Sequence, residues 1–430
     1  MKKAHPILLG ILIATTFAST FKIPLLGFNA NLSQLVVCLM LPIAGIELMK
    51  GLRYHDRHWN FMTLIVLLYF FTNFISSLAY APDKMWSLRG SADILSYVII
   101  YLVTKRFITD FESLDGAVSS LKMFNLLSVL FGLFSLLYSW LPGERAFIGV
   151  STGHVEFGFP SIRSLSFEPN FFAQITAVVS CFYLAQLLLR RRGSSSFAFF
   201  FLMVPAILFS YTRGVYASLL IAFLAMVVIN IKRTSAVLKR VALPALGLLM
   251  FVAAISMISP TSDTDIFSAF AKRVANMTNF EQGSGAIRDV LYFIGIKGFE
   301  ANPLLGNGTL SANTMTINRV TGDFGYISGT QGWLTGAWIQ SLNDTGVFGF
   351  VVLLSLFLVP IFKNYRIFKH TKNNRVKEVS LAFFGGNVLM LVACQISSSL
   401  WFAFPWIYWG INAAFIDLVK NGEYDAPRTI

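Results

Sequence analysis

Three arginines sit at the edges of apolar runs, where a charge is costly unless it is paired, wetted or used. Arg163 lies in Pro160-Ser161-Ile162-Arg163-Ser164-Leu165-Ser166-Phe167-Glu168-Pro169-Asn170, which leads straight into an apolar segment. Arg213 lies in Ser210-Tyr211-Thr212-Arg213-Gly214 and carries the sole charge between Arg192 and Lys232. Arg288 flanks Ile287, Leu291 and Ile294, a stripe at helical spacing with Val290 beside it. A guanidinium stays ionised and offers a planar fork of donors that matches phosphate. Three brought together would clamp an anion. Plainer roles exist for each: Arg163 snorkelling to headgroups or pairing with Glu168, Arg213 anchoring a turn at the interface, Arg288 pairing with Asp289. Lys272, Arg273, Lys297 and Arg319 read as surface charge.

A base for proton transfer is harder to find. Of the five histidines, His154 alone falls on the side of the arginines once the cations are used to orient the chain. Glu168 is the first candidate and His154 the second, with Glu156, Asp289 and Asp344 as further carboxylates. No spacing suits a metal, and no phosphate-binding glycine loop or dinucleotide fingerprint occurs. The sequence therefore calls for neither a metal nor a cofactor.

These residues must be held by membrane helices. The chain of 430 residues is 55% hydrophobic and 13% charged, about half the charge of a soluble domain. Repeated apolar runs predict an all-α polytopic membrane protein with about twelve spans. They fall at 7–22, 32–49, 60–80, 91–104, 121–141, 171–189, 197–211, 215–231, 241–259, 346–362, 379–396 and 401–419. Residues 197–211 carry Pro205 and are expected to be short or kinked. The start reads as an uncleaved first span. Cys38, Cys181 and Cys394 all lie in apolar runs and read as small buried hydrophobes. The expected organisation is nine spans over 1–259 with an outer connection at 142–170, a large loop at 260–345, and three spans with a short tail over 346–430. The loop holds two amphipathic segments, 265–277 and 285–300, and the turn Asn302-Pro303-Leu304-Leu305-Gly306-Asn307-Gly308.

Orientation comes from the cations. With both termini cytoplasmic, 23 of the 34 Lys and Arg fall on the cytoplasmic side, and net charges are +14 inside and −1 outside. The large loop and all three arginines are then outside. No internal repeat is visible, which weighs against a transporter.

Arg163 with Phe167-Glu168-Pro169-Asn170, the turn Thr212-Arg213-Gly214, Arg288 followed by Asn302–Gly308, and Thr345-Gly346-Val347-Phe348-Gly349 together resemble the O-antigen ligase / O-antigen polymerase superfamily, bacterial membrane glycosyltransferases of the GT-C type. The resemblance implies a GT-C-like fold in the inner (plasma) membrane with a periplasmic loop. It implies a glycan donor and acceptor carried on undecaprenyl pyrophosphate, and Arg163, Arg213 and Arg288 as pyrophosphate ligands. It also allows a chain-length regulator as partner. The ligases carry a His-Asn pair in the loop about three helical turns before the last Gly motif. Thr335-Gly336 stands there instead, and 260–345 has no histidine. That departure favours a repeat-unit polymerase for O-antigen, capsule or exopolysaccharide. A ligase acting on lipid A–core is the alternative, and a lipid-linked oligosaccharide flippase the further one.

Overall fold

A computed structural model describes residues 4–19, 21–25, 28–53, 61–139, 148–156, 159–189, 194–230, 284–312, 334, 336–395, 397 and 399–422. The expected span at 241–259 and the amphipathic segment at 265–277 lie outside them. In chain order the elements are α1 (Ala4–Thr16), β1 (Lys22–Leu25), β2 (Phe28–Asn31), α2 (Leu32–Arg53), α3 (Phe61–Tyr80), α4 (Lys84–Phe107) and α5 (Phe111–Tyr138). Next come β3 (Val150–Glu156), β4 (Phe159–Ile162), α6 (Pro169–Leu189), α7 (Ser194–Leu208) and α8 (Arg213–Ile229). The last are α9 (Ser284–Ala301), α10 (Ala337–His370), α11 (Asn374–Ala393), a 3-10 turn (Ser399–Trp401) and α12 (Ala403–Lys420).

The described chain is mainly helical, as expected. Five helices, α3, α5, α6, α10 and α11, are long and apolar enough to cross a membrane. Twelve spans are expected from the sequence; five helices among the described residues meet that length and hydropathy. α7 holds 15 residues with Pro205 inside, a length of about 22 Å against a hydrocarbon core of about 30 Å. The connections at 22–31 and 142–170 contain antiparallel hairpins, β1–β2 and β3–β4.

α12 and α6 form the centre of the bundle. α12 is apolar along most of its length, and nearly all of its residues are buried among the other helices. Trp406 and Trp409 are fully buried; Trp406 stacks on Tyr97 of α4 and Trp409 meets Phe357 of α10 edge-on. The outer surface is apolar as well. Phe61, Leu64, Leu68, Phe71, Ile75 and Leu78 run down one exposed face of α3 at helical spacing. Such a stripe in water would be a large unfavourable patch, and it suits lipid.

Hydrogen bonds identify two ends. At one, the start of α10 meets the end of α11 (Ala337 N–H to Cys394 O, 2.8 Å), and the α11–α12 turn meets the start of α6 (Ser397 Oγ to Gln174 Oε1, 3.3 Å). The end of α3 reaches α10 there too (Ser76 Oγ to Asp344 O, 2.6 Å). This is the loop end. At the other, the end of α4 meets the end of α12 through Lys105 and Asp417, and the starts of α5 and α11 meet through Asp115 and Arg375. This is the basic end.

Candidate functional site at the loop end

The turn bearing Arg163 is built on a glycine and a left-handed serine. Gly149 O accepts from both Arg163 N–H (3.0 Å) and Ser164 N–H (2.9 Å), which forces Ser164 to φ +54°. Ser164 Oγ then donates to Ser128 O of α5 at 2.8 Å, so a conformation that L residues avoid is held by specific bonds. The Arg163 side chain folds back, its Nε–H donating to Ile148 O at 3.1 Å.

Arg213 lies beside that turn. Ile162 N–H donates to Phe209 O at 2.9 Å, joining β4 to the α7–α8 turn. Tyr211 in that turn is also left-handed, at φ +54°. Arg213 opens α8, and Thr212 before it gives no side-chain cap. A cation on the first turn opposes the helix dipole, so the spot concentrates positive potential and favours an anion. Glu168 directly precedes α6, whose first residue is Pro169, and its carbonyl accepts from Phe172 N–H at 3.3 Å. Phe167 N–H is tied to Ser19 Oγ at 3.0 Å. His154 falls in the irregular stretch of β3, between the Ser151–Ser161 and Val155–Pro160 pairs; its side chain lies outside the described residues.

Arg288 lies on α9, which matches the expected amphipathic segment at 285–300. Its side chain, like those of Ile287 and Val290, lies outside the described residues. Leu291 and Ile294 of the expected stripe are buried against Ala312, Leu334 and Ile339. Tyr292 Oη donates to Gln395 O at 3.1 Å, which puts α9 at the loop end. Lys297 pairs with Glu300 at the surface, at 2.7 Å.

Between the 302–308 turn and α10, helix hydrogen bonds are exchanged. α10 begins at Ala337, inside the stretch expected as loop, and breaks at Gly346 (φ 63°, ψ −160°). In an unbroken helix Val347 and Phe348 would donate to Asn343 O and Asp344 O. Instead Val347 N–H donates to Pro303 O (2.9 Å) and Phe348 N–H to Leu304 O (3.4 Å). The vacated Asn343 O accepts from Asn307 N–H (2.9 Å) and Asp344 O from Gly308 N–H (3.0 Å). Each orphaned group finds a partner in the 302–308 turn, as buried backbone must. The backbones come so close that a Cβ on Gly306 would lie 2.4 Å from Asp344 C, and one on Gly346 2.5 Å from Leu304 C.

A polar cluster secures this interlock. The Asp344 carboxylate is 2% exposed and accepts from Leu310 N–H (3.0 Å), Gln340 Nε2 (2.6 Å) and Asn343 Nδ2 (2.7 Å). Its side chain is thus turned into the protein, away from the role of base that its type allows. Thr309 Oγ1 joins Ser77, Ser91 and Asn73 of α3 and α4, and Ser76 Oγ also accepts from Gly308 N–H (2.9 Å). Both glycine motifs stand out in the sequence, but their contact does not. The signal for their seat was the spacing of Asn73, Ser76 and Ser77, and of Ser87 and Ser91, small polar residues on single faces of apolar helices. Among the described residues no group of His, Cys, Asp and Glu is placed to hold a metal.

A family model described as O-antigen ligase matches residues 198–354. The matched stretch runs from α7 into α10 and contains Arg213, Arg288, the 302–308 turn and the Gly346 break; Arg163, Glu168 and His154 precede it. The match supports the O-antigen ligase/polymerase superfamily and a glycosyltransferase-like membrane enzyme. No curated protein matches this chain.

Proposed function

We propose that this chain polymerises oligosaccharide repeat units carried on undecaprenyl pyrophosphate, for O-antigen, capsule or exopolysaccharide, at the outer face of the bacterial inner membrane. The observation that carries the reading is the 2.9 Å bond from Ile162 N–H to Phe209 O. It makes neighbours of two strained turns, each bearing an arginine, at the loop end of the bundle. In this reading the loop end faces the periplasm and the basic end the cytoplasm, with both termini, in keeping with the distribution of Lys and Arg.

The acceptor hydroxyl oxygen bonds to the anomeric carbon of the donor glycan. The bond from that carbon to the pyrophosphate oxygen breaks, and undecaprenyl pyrophosphate leaves with the bonding electrons. Negative charge grows on the phosphate as the bond lengthens. Arg163, Arg213 and Arg288 bind that charge from fixed positions, so they stabilise the transition state more than the ground state. The hydroxyl proton passes to the Glu168 carboxylate, or to His154. The interlock at Gly306 and Gly346 anchors α9, and with it Arg288, as a lid.

Replacing Arg213 or Arg163 by Ala should cut long-chain glycan formation about 100- to 1000-fold, since losing one preorganised donor costs about 3 kcal/mol. Membranes holding each variant at normal level are assayed with lipid-linked repeat units and the products resolved on a gel. Unaltered chain length in both variants sinks the clamp. Full activity in Glu168→Gln moves the proton to His154. The ligase reading draws on the matching family, which is described as O-antigen ligase. A deletion strain separates the two: loss of all polymer supports the polymerase, whereas bare lipid A–core beside accumulated lipid-linked polymer supports the ligase.

A further inference from the structure

The basic end holds a cavity of about 180 Å³ between α5, α6 and α11. Its charged and polar lining is Asp115, Ser119 and Lys122 of α5, Gln186 of α6, and Arg375 and Glu378 of α11, with Phe182 as an apolar wall. Asp115 and Lys122 lie seven residues apart, two turns along one face of α5. Gln186 is twelve residues beyond Gln174, about 18 Å along α6 from the loop end, so this cavity is separate from the loop-end site.

Two features bear on what it holds. The first is balanced charge around one space. Arg375 pairs with Asp115 in the cavity wall. Glu378 Oε1 accepts from Gln186 Nε2 (2.8 Å), whose Oε1 accepts from Ser196 Oγ (2.6 Å), so that carboxylate is fixed in place. Lys122 Nζ stands 4.9 Å from the Tyr183 ring centre and 5.8 Å from that of Phe182. A simple anion would meet two carboxylates, and a simple cation two cations. A ligand carrying both charges meets a partner for each. The second feature is the surface of α5. Met123, Leu127, Leu130 and Phe134 form an exposed apolar ridge that starts one residue after Lys122. An amphiphile could seat its head in the cavity and lay its chains along that ridge.

We propose that this cavity binds the headgroup of a zwitterionic phospholipid with a primary ammonium. Lys122 and Arg375 take the phosphate, and Glu378 and Asp115 the ammonium. The volume corresponds to about six water molecules, enough for a phosphate and a two-carbon amine. The site is independent of the glycosyl-transfer reading.

The test uses the purified full-length protein, delipidated in detergent and titrated with single lipids under native mass spectrometry. Phosphatidylethanolamine should bind about tenfold more tightly than phosphatidylglycerol, which lacks the cation, or phosphatidylcholine, whose ammonium has no N–H to donate. Glu378→Gln and Lys122→Gln should each lose most of that preference, and Lys122→Arg, which keeps the charge, should retain it. Equal binding of the three lipids overturns the proposal, as does an unchanged preference in both neutral variants. Free phosphoethanolamine should compete only weakly; competition as strong as the lipid's makes the ligand a soluble one and overturns the lipid as its source.

Discussion

The two ends of the bundle bury polar groups in opposite ways. At the basic end full charges are matched by full charges. Lys105 Nζ is 3.0 Å from Asp417 Oδ2 and 3.0 Å from Thr63 Oγ1, and the pair is only 5% and 17% exposed. At the loop end the buried carboxylate of Asp344 meets amides and a backbone N–H instead, and the carbonyls beside it are shared out among serines and a turn. Ion pairs depend on net charge and tolerate some movement, whereas an interlock of backbone bonds fixes geometry at short range. The loop end, which in the proposed reading positions a lid, uses the second device. Arg163 and Arg213 sit at turns whose shape is held mainly by backbone bonds, so the loss of either side chain should leave the fold in place.

That contrast can be broken at several points. The largest stability effect is expected at the basic end. Lys105→Met takes the nearest cation from Asp417, leaving it the more distant charge of Lys363, and should destabilise the protein by about 3 kcal/mol. Adding Asp417→Asn should recover much of it, as read by thermal unfolding in detergent. No loss in the single variant would mean that the pair does not support that end. Next comes the clamp: Arg213→Ala should lose about 3 kcal/mol of transition-state stabilisation while its melting temperature stays near that of the unaltered chain. A matching fall in stability would make Arg213 structural and erase the contrast.

Gly346→Ala probes the interlock itself. A Cβ forced against the Leu304 carbonyl, at positive φ, should cost about 2 kcal/mol. Hydrogen exchange should quicken at Asn307, Gly308, Val347 and Phe348, leaving the Lys105 region protected. Exchange rising equally at both ends would show the two to be one cooperative unit. The smallest effect is expected at the start of α5. Asp110 caps that helix, accepting from Ser113 N–H at 2.7 Å, and Asp110→Ala should cost about 1 kcal/mol. Partial burial raises its carboxyl, but bonds from Ser113 and Thr109 more than offset this and hold it below the usual carboxylate range. Its contribution is therefore present above the unfolded-state value of about 3.9 and is lost as pH falls through the lower folded value. Acid unfolding of Asp110→Ala should be shallower than that of the unaltered chain between those two values.

Much of this was legible from local pattern. Runs of apolar residues located α3, α5, α6 and α11, because a helix in lipid needs little beyond length and hydropathy. The stripe through Leu291 and Ile294 located α9. The hairpin at Val150–Ile162 was not legible: its strands are short, interrupted by Gly153 and Pro160, and paired through a bulge. Nor was the start of α10 at Ala337, because Gln340, Ser341, Asn343 and Asp344 read as polar loop until the partners that bury them are known.

The sequence by itself determined the kind of molecule, a mainly helical membrane protein, and it singled out arginines at the edges of apolar runs as candidates for a site. Those conclusions rest on residue type and on spacing within one element. Tertiary structure alone decided which of those residues share a neighbourhood. The Arg163 and Arg213 turns meet through a single backbone bond between residues 162 and 209, and the two glycine motifs meet through carbonyls and amides about forty residues apart. Backbone groups are the same in every residue. No pattern of side chains announces where an orphaned amide will find its acceptor, and it takes the assembled bundle to bring them together.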